Sequence, residues 1–149
     1  MVTGAVVRVR LGPVPPTSAE AWIGWAREMI GDLRRQPESV VKLPPEVLDD
    51  VAVYVESWAA ANHHGAVFQW QVDVEPDELE YLTNALYNLD VRLADEARRV
   101  PERAEPAEAR AFHLMLVQAL LFALAQESPT RAAFVEQLRP SWPLVTEAR

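Results

Sequence analysis

Apolar and polar positions alternate cleanly in AVFQWQVDV, residues 66–74: Phe68, Trp70, Val72 and Val74 fall on one side and Gln69, Gln71 and Asp73 on the other. A period of two is the mark of a half-buried strand. The pattern then changes to a helical one. Glu75 and Pro76 open it, Asp77 and Glu78 suit the positive end of the helix dipole, and Leu79, Leu82, Leu86, Leu89 and Leu93 recur at three- and four-residue steps. That leucine stripe has coiled-coil-like spacing over two heptads.

AVVRVRL, residues 5–11, repeats the strand pattern, with Val7, Val9 and Leu11 opposite Arg8 and Arg10. GPVPP is expected to break the backbone after it. If the two strands pair, Arg8 and Arg10 share an outer face with Gln69, Gln71 and Asp73, where opposite charges attract across the ladder. Four more helices follow from the remaining periodicity. The first runs from about 18 to 35, with Thr17 and Glu20 in capping-box spacing. Its apolar stripe is Trp22, Ala26, Met29, Ile30 and Leu33, with Ile23 and Trp25 at the margins.

The second begins near Pro45, carries Val47, Val51, Tyr54, Val55 and Trp58 on one face, and closes at Asn62 or Gly65. The fourth helix spans about 106–126 and is apolar almost all round, as a central core helix is. Ser128 caps a short fifth helix ending near Leu138, and Trp142, between two prolines, lies as an ordered strap over the body. The expected fold is α+β and mostly helical: about five α-helices on a two-stranded β-ribbon, one domain over 1–149, with a partly ordered tail at 140–149.

Composition narrows the function. Half of the 149 residues are hydrophobic, and a chain of this size buries about 70% of its unfolded surface. With no cysteine, disulfides, thiolate metal sites and thiol nucleophiles are excluded. The net charge is −8, with six basic against nine acidic residues in 1–74 and eight against thirteen in 75–149. Phosphate neutralisation needs Lys and Arg, so nucleic acid is not an expected partner. The start MVTGAVVRVRLGPVPP has no signal-peptide pattern, and the apolar run 111–125 is short for a spanning helix. A cytoplasmic location away from membranes is the expectation.

Candidate chemistry is sparse. His63 and His64 are adjacent and point about 100° apart on a helix, which suits a helix C-terminus better than a shared metal. His113 sits in the apolar helix as a buried, hydrogen-bonded histidine, the ionisable group whose burial most invites a shifted pKa. Gln118 in the same helix needs buried partners or an opening. The acids Glu46, Asp49, Asp50, Glu75, Asp77 and Glu78 open helices, as dipole arguments predict. No P-loop, dinucleotide fingerprint or G-x-S-x-G elbow is present. No catalytic residue, metal site or cofactor is therefore assigned, and the balance leans away from an enzyme without closing that alternative.

Two functions compete. One is an interaction or regulatory module that acts as a homodimer, through strand edges or the leucine stripe, with a protein partner as a further option. The other is a small-ligand-binding module or small enzyme using an aromatic cleft between the first two helices and the strand, with Trp25, Tyr54, Trp58, Trp70 and His113 as its ligand-binding residues. A histidine-walled pocket favours the second, and a flat apolar patch the first.

Overall fold

Strands β1 (Val7–Val14) and β2 (Phe68–Val74) pair antiparallel in the computed structural model, which describes residues 6–36, 43–61 and 67–144. The register sets Val9 against Val72, Leu11 against Trp70 and Arg8 against Asp73. The outer-face ion pair expected from the alternation is present, with Arg8 Nε 2.9 Å from Asp73 Oδ1. One expectation fails here: β1 does not end at Leu11. Gly12 adopts φ +103°, and any Cβ there would collide with the Phe68 carbonyl oxygen. Glycine lets the strand slip past this irregularity and resume, so that Val14 pairs with Phe68.

Among the described residues, five α-helices are interleaved with the strands: α1 (Pro16–Arg34), α2 (Pro45–Ala61), α3 (Pro76–Arg99), α4 (Arg110–Glu127) and α5 (Pro129–Leu138). Single 3-10 turns occupy Pro101–Arg103, Ala107–Ala109 and Arg139–Ser141. The α+β, mostly helical fold expected from the sequence is the fold observed. α1 begins two residues early and lacks the Thr17–Glu20 capping box. Pro16 takes the first helical position, where no amide is needed, and moves Thr17 inside the helix with no side-chain cap. Ser128 does cap α5, accepting from the Arg131 amide at 3.2 Å.

α4 is the centre of the packing. It lies against β1, α1, α3 and α5, and Phe112, Leu116, Val117, Leu120, Leu121 and Leu124 are fully buried along it. The stretch Pro101–Glu127 is long and apolar enough by composition to cross a membrane, although half of its most apolar window is buried inside the fold. Gln118 faces solvent and accepts from Arg139 at 3.1 Å. The leucine stripe of α3 is spent within the chain: none of Leu79, Leu82, Leu86, Leu89 and Leu93 exceeds 6% exposure. The proposed dimer contact through these leucines is therefore not available, because α4 and its neighbours already cover them.

Trp142 lies fully buried beyond α5, its ring edge-on to Tyr87 with centroids 5.4 Å apart. The ordered strap is thus observed as far as Leu144. His63, His64, Lys42 and the expected helix ending at Asn62 or Gly65 fall outside the described residues.

Candidate functional site

One polar cluster interrupts the core. Asp90 stands four residues after Leu86 and three before Leu93, so helix geometry puts a carboxylate on the leucine stripe itself. His113 lies in the first turn of α4, and Glu105 sits between the 3-10 turns that lead into it. Their side chains are nearly closed to solvent, at 5% for Asp90 and His113 and 9% for Glu105. His113 Nε2 meets Asp90 Oδ2 at 2.8 Å, and Nδ1 is hydrogen-bonded to Glu105 Oε2.

Each carboxylate has a further donor. Trp142 Nε1–H donates a hydrogen bond to Asp90 Oδ2 at 2.8 Å, and Arg110 Nε donates to Glu105 Oε1 at 3.0 Å. The cluster thereby ties α3, the turn before α4, α4 and the C-terminal strap into one unit.

Charge follows from this geometry. Burial presses His113 towards its neutral form and is the strongest single influence. The charge and hydrogen bond of Asp90, joined by those of Glu105, outweigh it together and raise the pKa to about 9. At neutral pH His113 is an imidazolium whose two N–H groups donate to two carboxylates. Trp22 packs at 5.1 Å between ring centroids, within cation–π range, and Trp25 lies further off at 6.4 Å. Such a histidine has no lone pair with which to accept a proton.

A cleft of about 240 Å³ opens beside the cluster. It is lined by the apolar Trp25, Leu93, Ala94 and Ala97, by Pro143 and Leu144 of the strap, and by the polar Asp90, Arg98, Glu105, Arg110 and His113. Trp25 is half-buried, and its indole N–H donates to the Arg103 carbonyl oxygen at 3.0 Å.

The five aromatic and histidine positions singled out from the sequence therefore separate. Trp25 and His113 meet at this cleft. Trp58 is fully buried in the core, with Trp70 edge-on at 5.8 Å and Tyr54 at 6.2 Å. Tyr54 also donates to Glu78, and burial together with that carboxylate raises its pKa. The cleft that Trp25 and His113 share lies among α1, α3, α4 and the strap, and Tyr54, Trp58 and Trp70 do not line it. The reason is packing: Trp58 is held among Trp22, Phe112 and Trp70.

Asp90, Glu105 and Trp142 were not foreseen as site residues. The available signal was Asp90, an acid placed on an otherwise leucine face. Among the described residues, no group of three or more His, Asp or Glu side chains could hold a metal ion. No family model, curated protein or solved structure matches the chain.

Proposed function

We propose that the protein is a small-ligand-binding module whose site is the cleft between Trp25 and His113. The observation that carries this reading is the composition of the cleft wall: a tryptophan ring and small apolar side chains face a buried, charge-balanced polar cluster. Ligand sites combine apolar lining with a few fixed polar groups in this way. His113 acts as a positioning group. With both nitrogens donating, it holds Asp90, Glu105 and the strap in place, which favours binding over turnover.

Nuclear magnetic resonance of the tryptophan indole N–H groups tests the reading. Binding fragments are expected to shift the Trp25 and Trp142 signals, and Ala97→Phe, which fills the cleft, should abolish the effect. Fragments that bind the A97F variant equally well, or shift only distant signals, would refute it.

A second reading, self-association, is favoured by a different observation. Phe122 on α4 is 65% exposed and Val6 51% exposed, and both line a groove of about 400 Å³ next to β1. Exposed apolar side chains beside a strand edge suit a second copy of the chain. Light scattering after size exclusion across micromolar concentrations should then give dimer mass, reverting to monomer in Phe122→Ser. Monomer mass throughout removes this reading.

A further inference from the structure

We infer that the outward face of α4 binds the same face of a second copy of this chain, as an antiparallel helix pair centred on Gln118. The inference rests on the self-association reading above and names the surface and geometry of the contact. It starts from the order of residues along α4. Between Ala111 and Gln126 the helix carries no Asp, Glu, Lys or Arg, and its one ionisable group, His113, is buried. Each of the other four described helices shows an exposed acid: Glu20 on α1, Glu46 on α2, Asp77 on α3 and Glu136 on α5.

The inner side of α4 is closed by the fold, but a stripe along its outer side is not. Ala111, Met115, Gln118, Phe122 and Ala125 recur at alternating four- and three-residue steps. Ala111, Gln118 and Phe122 are exposed, and Met115 and Ala125 are half-buried. A repeat of this period is the seam along which two helices wind around each other. At about 1.5 Å per residue the seam runs for about 22 Å. Water is a poor partner for it, since Phe122 alone leaves 65% of its surface exposed.

Two properties of the stripe point to a copy of itself. The first is its order of sizes, which matches itself after a half-turn about Gln118. Ala111 then meets the partner's Ala125, small against small, and Phe122 meets the partner's Leu114. Gln118 meets its own counterpart. Its carbonyl oxygen takes one hydrogen bond from Arg139 at 3.1 Å, which leaves a lone pair to accept and the amide N–H groups to donate across the axis. One polar side chain in an apolar seam fixes the register.

The second property is charge. Each copy carries a net −8, so acidic faces repel and two copies approach most easily through a face without charge. The same acidity opposes an anionic membrane, where an interfacial helix needs Lys and Arg beside its apolar side.

Cysteine cross-linking of the full chain tests this, because the natural chain has no cysteine and each introduced thiol reports its own contact. Disulfides need Cα atoms within about 7 Å. Under mild oxidation Gln118→Cys should become mostly covalent dimer, since a residue on the axis meets itself. Ala111→Cys and Ala125→Cys should cross-link when mixed, and neither should do so alone. Asn84→Cys, exposed on α3, is the control and should stay monomeric. In the unaltered chain, light scattering should find a dimer fraction that holds or rises with ionic strength, because salt screens the repulsion and the seam has no ion pair to lose.

Dimer mass with no more cross-linking in Q118C than in N84C overturns this surface and leaves self-association standing. Cross-linking of A111C with itself overturns the antiparallel geometry, and dissociation by salt overturns the uncharged seam. Monomer mass at every concentration removes the self-association reading and this inference with it. A monomer that floats with phosphatidylcholine vesicles assigns the stripe to a membrane instead.

Discussion

Two ionic clusters tie α3 to later parts of the chain, and they differ in little except water. At one, His113 bridges the acids Asp90 and Glu105, all three nearly closed to solvent. At the other, Arg131 of α5 reaches Glu80 at 2.9 Å, Glu127 at 3.0 Å and Asp77, yet Asp77 is 95% exposed and Glu80 42%. The second has as many ion pairs as the first, counting Arg110–Glu105, and should matter less. Exposed pairs gain little over hydration and are screened by salt. A buried set cannot lose one member without stranding the others in a poor solvent. Burial, not the number of pairs, decides what a charge cluster does. The His113 cluster links four segments through buried polar contacts, whether or not a wholly apolar replacement would be more stable.

The sharpest way to break this comparison is His113→Ala. It leaves Asp90 and Glu105 facing one another without their shared cation, and should cost about 3–5 kcal/mol in urea unfolding. A loss below about 1 kcal/mol would show that water reaches the cluster freely.

Next in size is Trp142→Phe, which keeps the ring against Tyr87 and removes only the donor to Asp90. A hydrogen bond to a charged group contributes about 1.5–3 kcal/mol, and the same unfolding measurement should find that loss.

Proton linkage separates the clusters further. The folded pKa of His113, about 9, lies above its ordinary 6.5. The stability it confers is complete below about pH 6.5, falls as pH rises towards 9 and is gone above that. Melting temperature should therefore decline across this window in the natural chain, and this His113-dependent decline should vanish in H113A.

Glu127 behaves oppositely. Its hydrogen bonds from Arg131 and Ser128 hold its pKa below 4.5, so its contribution is present above 4.5 and lost on acidification. The smallest effect belongs to Arg131→Gln. A slight fall in melting temperature at low salt should disappear at high salt, and a fall that salt does not erase would mean this cluster is less screened than its exposure indicates.

Much of the fold was legible because its signals are local. Alternation in AVVRVRL and AVFQWQVDV placed both strands and put Arg8 and Arg10 on the face of Asp73, since a strand's side chains change face at every residue; the register chose Arg8 as the partner. Ser128 before Pro129 announced its own cap. Local signals also misled: Thr17 and Glu20 had the spacing of a capping box, but Pro16 started α1 ahead of them. Gly12, read as a break, instead let β1 continue.

The candidate site was half visible. His113 stood out as an ionisable group in an apolar helix, and Trp25 as the margin of its stripe. Glu105 and Trp142 did not stand out, because nothing near either residue in the chain marks it as a partner of His113, 8 positions on, or of Asp90, 52 positions back.

The sequence alone determined which faces must be buried and roughly where the elements lie, because burial of apolar surface is written in periodicity. Only the tertiary structure decided that the leucine stripe would meet the chain's own core. It also decided that Asp90, Glu105, His113 and Trp142 would converge, and that Trp25 would wall a cleft apart from Trp58. Those outcomes depend on how whole faces dock in three dimensions, and on the need of a buried charge for a partner wherever in the chain that partner lies.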